Sequence, residues 1–282
     1  MFGKRLRPGV EKRRMGNCSM SARSAVVYER NEPDKRRQAL AEAADDAAAL
    51  AVFDRSGLPV LLRYRYFEYV GNNEEAFKTV AAAVGKTDRT WPATLYALGL
   101  YRRGETQKAL AVLDSLGENQ QGAFHQTMRM YMLAESRGGR QRAVETFSRC
   151  EGRYRGTARL FQAAVFCLLG EKDRGAAAFR RIREKPDVLP RLRTDSYLKL
   201  VDFNCGLISA EELLRSAAGS RYNLCNAHFF VGMARLCERD RRGAREHFQK
   251  CVALRVFDFD AADWSRTFLA RMDAEPDWPG GT

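Results

Sequence analysis

The chain has 282 residues, of which 45% are hydrophobic and 29% are charged, and its formal net charge is +13 at pH 7. No run of about 18 apolar residues occurs, which excludes a membrane-spanning helix, and no apolar stretch follows the basic start as a secretory signal requires. The seven cysteines are odd in number and show no Cys-x-x-Cys spacing. We therefore interpret them as small buried residues of a cytoplasmic protein.

Residues 1–25 form a basic segment with seven Lys and Arg residues, one acidic residue and almost no apolar periodicity. This composition is typical of a disordered tail, because too few apolar side chains are present to offset the entropy lost on folding. Clustered basic residues also bind phosphates, so a contact with nucleic acid or anionic lipid is an alternative. A start of translation at Met15 or Met20 would remove the segment and is a second alternative.

Residues 26–56 predict one leading helix. Pro33 suits the first turn of a helix, and Gly57 follows the end of the pattern. The apolar stripe consists mostly of alanine, which favours close packing against another helix. We expect this helix to cover the first of the elements that follow. The stripe contains Leu40, Ala43, Ala44, Ala47, Leu50 and Ala51.

Residues 57–256 carry one pattern six times. Each unit predicts two helices joined by a short turn, and a small residue near the start of the second helix marks the phase. An apolar residue follows the marker after four residues, and another small or apolar residue follows after seven. Four units have glycine five residues before the marker, where a positive φ would end the first helix. The markers are Ala76, Ala109, Ala143, Gly175, Ala210 and Ala244, at intervals of 33, 34, 32, 35 and 34 residues.

The last unit indicates why the marker is small. Gly232 in its first helix and Ala244 in its second would let two backbones approach closely, and Phe248 would fill the space beside them. This pattern resembles the tetratricopeptide repeat (TPR), whose period is about 34 residues. The resemblance implies an all-α, TPR-like α-α superhelix, or solenoid, of about six helix pairs with a leading and a closing helix. Bulky residues replace the small first-helix residue in three units, which hold Tyr64, Tyr131 and Leu198 there.

Residues 257–274 predict the closing helix, and residues 275–282 predict a flexible tail. Trp264, Phe268 and Leu269 recur at helical spacing and would face inward. Charged residues occupy the other positions, as the last element of a repeat array requires for its outer face.

The resemblance to TPR arrays also implies a binding groove, because the first helix of each pair lines their concave wall. The wall would be mostly apolar with cationic edges, which favours a protein or peptide partner with acidic and apolar residues. A filled wall is the alternative, closed by tight winding or by the leading helix. The implied groove residues are Leu61, Arg65, Thr94, Leu98, Arg102, Met128, Met132, Leu160, Ala164, Lys199, Phe229 and Met233.

We expect from the resemblance a non-catalytic protein-interaction scaffold that needs no cofactor. An alternative is an accessory module of a signalling enzyme, since the chain also resembles the TPR regions attached to some bacterial Ser/Thr protein kinases; it contains no kinase domain itself. A further alternative is nucleic-acid binding through the basic surface, which would show a steep salt dependence.

Motifs for chemistry are few. Gly85-Lys86-Thr87 lacks the preceding glycine and strand of a phosphate-binding loop, and no catalytic signature occurs, so we predict no enzyme activity. Four residues have a Cys-x2-His and His-x3-Cys spacing that could bind zinc, although packing explains Cys251 as well; we predict no metal. These four are Cys225, His228, His247 and Cys251.

Overall fold

The computed structural model describes residues 59–86, 90–117, 122–154, 156–184, 195–256 and 260–279, and within these ranges all regular structure is α-helical. The predicted tail over 1–25 and the leading helix over 26–56 lie outside the described residues. The helices are α1 (Pro59–Val70), α2 (Asn73–Ala81), α3 (Trp91–Arg102), α4 (Thr106–Asp114), α5 (Ala123–Glu135), α6 (Arg140–Cys150), α7 (Thr157–Ala163), α8 (Val165–Leu168), α9 (Lys172–Glu184), α10 (Asp195–Asn204), α11 (Ala210–Ala217), α12 (Arg221–Cys237), α13 (Arg241–Ala253) and α14 (Asp260–Ala274).

These helices form six consecutive pairs and a closing helix. α1 packs on α2, α3 on α4, α5 on α6, the broken helix α7–α8 on α9, α10 on α11, and α12 on α13. Each pair also packs on the next one along the chain, which buries a continuous core between neighbours. The expectation of an all-α, TPR-like array of helix pairs is therefore confirmed for the described residues.

A residue with positive φ ends the first helix of most pairs, two positions before the second helix begins. The four predicted glycines have φ between 66° and 84°, a conformation that costs glycine nothing. In the sixth pair Arg239 occupies this position with φ 61°, so the array uses the same turn there without glycine. The four glycines are Gly71, Gly104, Gly138 and Gly170.

Side-chain caps fix where several second helices start. The Asn72 side chain accepts a hydrogen bond from the N–H of Glu75 at the start of α2, and the Asp240 carboxylate accepts one from the N–H of Gly243 at the start of α13. Each cap satisfies one of the N–H groups that a helix leaves without an intrahelical partner.

The fifth pair departs from the predicted phase. In the other five pairs the marker is the fourth residue of the second helix, but Ala210 is the first residue of α11 and is only half-buried. Ser209 causes the shift, because its hydroxyl caps the helix by accepting a hydrogen bond from the N–H of Glu212. Leu213 takes the marker position instead, and Leu213 and Ala217 are the buried residues of α11. The assignment of Ala210 as a structural repeat residue was wrong.

The remaining markers are buried. Their small size lets the neighbouring helix approach, and the last pair shows how closely two helices can pack. A Cβ added at Gly232 would lie 2.6 Å from Cε1 of Phe248, so the ring of Phe248 uses the space that a side chain would need. The buried structural repeat residues are Ala76, Ala109, Ala143, Gly175, Gly232, Ala244 and Phe248.

As far as residue 279, the segment after the closing helix is held against the core and is not a flexible tail. Trp278 is 1% exposed, and its ring centroid lies 5.2 Å from that of Phe268. Arg241 at the start of α13 donates hydrogen bonds to the carbonyls of Met272 and Trp278. The prediction of a flexible tail from residue 275 is therefore wrong as far as residue 279. The sequence pattern did not indicate that the Trp278 indole is part of the core.

Candidate functional site

The predicted groove residues are almost all buried. Only Lys199 keeps a substantial part of its side chain exposed, 36%, and it forms an ion pair with Glu212. Arg65 and Arg102 have side-chain exposures of 12% and 9%. The remaining groove residues are Leu61, Thr94, Leu98, Met128, Met132, Leu160, Ala164, Phe229 and Met233, which are exposed by 8% or less.

The closing helix α14 packs against part of this wall. Its Trp264 ring lies edge-on to Tyr131 of α5, with 4.6 Å between the centroids, and its Phe268 ring is stacked with Phe229 of α12 at 6.3 Å. Both α14 residues are fully buried. Aromatic pairs in this geometry add to the stabilisation that burial of their large apolar surfaces provides. The two rings therefore join the third unit to the sixth through α14.

A buried ionic network joins α14 to the first two units. The Asp263 carboxylate, which is 2% exposed, pairs with Arg65 of α1. Arg102 of α3 pairs with Glu68 at 2.5 Å and donates from Nε to the hydroxyl of Thr267 at 2.9 Å. Charges buried this deeply remain tolerable only because each has a partner of opposite sign.

A second polar contact lies at the other end of α14. The Arg271 guanidinium is 3.3 Å from the Glu135 carboxylate of α5, and the Tyr101 hydroxyl donates to the same carboxylate. Burial raises the pKa of Glu135 to about 7, although the hydrogen bond from Tyr101 and the charge of Arg271 act in the opposite direction. Glu135 is therefore a carboxyl group that titrates near neutral pH inside the protein.

Of the two alternatives for the wall, an open groove or a filled one, the burial of these residues supports the filled one. The wall is apolar, as the pattern indicated, because it is the surface on which α14 packs. Helix α14 contacts α3, α12 and α13 directly and meets α1 and α5 through the pairs described above.

The four residues with zinc-like spacing come together as two separate pairs. The Sγ atoms of Cys225 and Cys251 are 3.0 Å apart, and the Nδ1 atoms of His228 and His247 are 3.1 Å apart. Burial, with a smaller effect of the charge of His247, lowers the pKa of His228 to about 4. Across the ranges that the structure describes, no group of three or more His, Cys, Asp or Glu residues is placed to hold a metal.

A surface pocket of about 370 Å³ lies where the fourth, fifth and sixth pairs meet. Its walls come from α8, α9, the segment between α10 and α11, and the end of α12. The floor is apolar, with Phe166, Phe179 and Phe203, and Lys172 and Arg180 stand at its rim. Leu207, in the segment beside it, is 58% exposed. An apolar side chain of a partner fits such a site, because its burial would cover surface that water now contacts.

Sequence reasoning missed this pocket. Its lining residues lie on five elements and belong to no single repeat position, so no periodicity connects them. The exposed apolar Leu207 and the adjacent Ile208 in a turn segment are the one local signal that points to it.

The paired helices and their buried small residues define a TPR-like, all-α helical-repeat protein. No family model matches the chain, and no curated protein matches it. Among solved structures, a tetratricopeptide repeat protein from Parabacteroides merdae is similar, with 17% sequence identity and a TM-score of 0.43, over 90% of this chain and 100% of that one. None of the described helices is long and apolar enough to cross a membrane.

Proposed function

We propose that the chain is a non-catalytic protein-interaction scaffold whose partner docks at the pocket between α8, α9 and α12. The pocket's apolar floor and its volume of about 370 Å³ are the observation that carries this proposal. The concave wall is a poorer candidate, because α14 already fills it with two buried aromatic rings.

The apolar lining of the pocket favours a segment with an apolar anchor, and the positive charge of the whole chain favours acidic neighbours in that segment. Three acids line the pocket: Glu171 pairs with Arg174 at 2.7 Å, Glu238 lies 3.7 Å from Lys172, and Asp173 is exposed. Arg180 is exposed beside them. The net charge of +13 would speed the encounter with an acidic partner.

Selection from a displayed peptide library against the full chain tests the proposal. Peptides that combine an apolar residue with acidic residues should be enriched. Ala176 lines the pocket and Ala111 is exposed on α4, so Ala176→Trp fills the site and Ala111→Trp is the matched control. The first variant should weaken binding by roughly tenfold or more, which is about 1.4 kcal/mol, and the second should leave it unchanged.

Equal binding of the selected peptides to both variants would place their site elsewhere and contradict the proposal. Enrichment of peptides without an apolar anchor would contradict it as well. Tight, strongly salt-dependent binding of random DNA or RNA, in the absence of peptide binding, would favour the nucleic-acid alternative instead.

A further inference from the structure

The positive charge of the chain is concentrated in one stretch. Residues 137–185 contain thirteen Lys and Arg residues against five acidic residues, a net charge of +8, and eleven of the thirteen are arginine. All other residues after the basic segment 1–25 together have a net charge of −1. The excess charge of residues 26–282 therefore belongs to the third and fourth helix pairs.

The second helices of these two pairs, α6 and α9, lie side by side. Near their first residues, the Glu171 carboxylate is 2.7 Å from Arg174 of α9 and 3.7 Å from Arg140 of α6. Near their last residues, Nε of Arg181 on α9 is 2.6 Å from Oε1 of Glu151, which follows α6. These contacts, one at each end, hold the two helices parallel and make their exposed sides one surface.

We call this surface the arginine face. It consists of the exposed side of residues 137–153 and the side of α9 that faces α6. Three glutamates lie on it, at positions 145, 151 and 171, so cations outnumber acids by seven to three. The next strip of α9, where Asp173, Arg180 and Glu184 recur at helical spacing, adds no further positive charge. The seven cations are Arg137, Arg140, Arg142, Arg149, Arg153, Arg174 and Arg181.

Most of these guanidinium groups are available to an external anion. Arg140, Arg174 and Arg181 have the ion pairs given above, and the other four form none with any residue that the structure describes. Arg142 and Arg149 are seven residues apart on α6, so they lie on one ridge of the helix, about 10 Å apart. The one acidic residue within α6, Glu145, accepts a hydrogen bond from Nε2 of Gln141 at 3.1 Å.

Helix α13 also has four cations, but contacts within the chain use three of them. Arg242 is 3.5 Å from Glu246, and Arg245 is 2.5 Å from Asp273. Arg241 donates to the backbone carbonyls of residues 272 and 278, as described above. A basic helix is therefore not enough to define such a face; what distinguishes α6 is that its arginines exceed the acids around them.

The composition of the arginine face indicates the kind of partner. None of the exposed large hydrophobic side chains among the described residues lies on α6 or α9, so a protein segment finds no apolar anchor there and unpaired bases find no aromatic ring to stack on. Guanidinium groups bind phosphate oxygens through two parallel hydrogen bonds. A nucleic-acid duplex presents phosphates in a regular array and keeps its bases inside, so it needs only cations from its partner.

We propose that the arginine face binds the phosphate backbone of duplex nucleic acid without reading its base sequence. Arg142, Arg149 and Arg153 supply the contacts, because they are exposed and have no acidic partner among the described residues. This inference goes beyond the proposed function and does not depend on it, since no residue of α6 lines the pocket.

Fluorescence anisotropy of a labelled DNA duplex of random sequence, about 20 base pairs long, titrated with the full chain over a range of salt concentrations, tests the proposal. We expect a dissociation constant of about 1–100 µM near physiological salt, and a linear fall of log K with log salt concentration. An RNA duplex of the same length shows whether the phosphates of DNA, of RNA or of both are bound, and binding of either duplex supports the proposal.

The triple variant Arg142→Gln, Arg149→Gln and Arg153→Gln removes the three contacts without breaking an ion pair. It should weaken duplex binding at least tenfold at about 0.1 M salt and reduce the salt slope by about 2.7, because each phosphate contact contributes about 0.9. The corresponding change of all three residues to lysine keeps the charge and should keep most of the slope. Thermal midpoints show whether these exposed substitutions leave the fold intact.

A matched control separates the face from the charge of the whole chain. Lys78→Gln, Lys108→Gln and Arg215→Gln together remove the same charge from exposed positions on the second helices α2, α4 and α11. This variant should bind the duplex with nearly the affinity and slope of the parent. Both triple variants retain the basic segment 1–25, so any contribution of that segment is the same in each.

Four outcomes would overturn the proposal. Equal losses in the two glutamine variants would assign the binding to the overall charge or to segment 1–25. Tighter binding of a single strand than of the duplex would require bases to be contacted. Tighter binding of polyglutamate than of the duplex, or binding of vesicles with anionic lipid but not of the duplex, would identify an acidic protein or a membrane as the partner. The fourth is the absence of duplex binding even at about 50 mM salt.

Discussion

Gly232 of α12 and Phe248 of α13 are packed so closely that the Phe248 ring fills the position of the missing side chain, 2.6 Å from where a Cβ would lie. The two residues are sixteen positions apart and belong to the helix pair with the most extensive contact. This contact fixes the distance between the two helices. Of the features of the repeat pattern, it is the one that the sequence indicates most directly.

Substitutions on either side of this contact should destabilise the protein, but not additively. Gly232→Ala should cost about 1–3 kcal/mol through overpacking, and Phe248→Ala about 3–5 kcal/mol through loss of a fully buried ring. In the double variant the new methyl group has space, so the total should be smaller than the sum. Denaturant unfolding measures each value. Gly219→Ala is the control, because nothing lies within 4 Å of its Cβ position; strictly additive costs would show that the two sites are not in contact.

The Arg65–Asp263 pair should matter far more than an exposed ion pair. Asp263→Ala removes the buried carboxylate that faces the Arg65 guanidinium, which should cost about 3–5 kcal/mol. Replacing both residues by Met and Leu should recover much of the loss, because the burial penalty of both charges disappears. Glu75→Ala, which breaks the exposed Lys78–Glu75 pair at 2.7 Å, should change stability by less than about 1 kcal/mol. Equal effects of Asp263→Ala and Glu75→Ala in urea titrations would refute the network as described.

Deletion of the chain from Asp260 onward should expose the apolar wall and cause aggregation or a clear fall in the thermal midpoint. A synthetic peptide of residues 260–279 added in trans should restore part of the lost stability, because it carries every α14 contact. The same peptide with Trp264→Ser and Phe268→Ser is the control and should not. A truncated chain as stable as the parent would mean that α14 does not cover the wall.

Glu135 should make stability fall as the pH rises from about 4.5 to 7. Its pKa is about 7 in the folded protein against an ordinary 4.5, so in this window the folded state binds more protons than the unfolded state. The full effect is about 3 kcal/mol. Glu135→Gln mimics the protonated group, so its stability relative to the parent should rise between pH 5 and pH 8. Parallel urea-derived stability curves for the two proteins across this range would contradict the raised pKa.

Arg239→Gly should stabilise the protein by about 1 kcal/mol. Arg239 holds φ at 61°, a conformation that is strained for a residue with a side chain and free of strain for glycine. The matched control is Arg242→Gly in the exposed first turn of α13, which should destabilise by about the same amount because glycine weakens a helix. Thermal and urea unfolding show whether each variant is more or less stable than the parent. A loss of stability in both variants would show that Arg239 makes contacts that outweigh its strain.

Periodicity predicted the helix pairs and most buried residues, because one small or aromatic residue per helix decides how closely two helices approach. It failed at Ala210, where the interval of 35 residues fitted but the cap at Ser209 set the start of the helix. It also predicted that Met128, Met132 and Phe229 share one apolar face without indicating what covers that face. The occupant depends on a contact with a helix far away along the chain, and no local pattern reports such a contact.

The ion pair between α1 and α14 joins residues 198 positions apart, which changes how the array must fold. In an open solenoid each unit contacts only its neighbours, so terminal units can fray while the centre stays intact. Here the first described unit and the last helix stabilise each other, and neither end can detach without exposing the interior of the other. We therefore expect the described part of the chain to lose its structure as a single unit, and to fold more slowly than an open helical array of the same length.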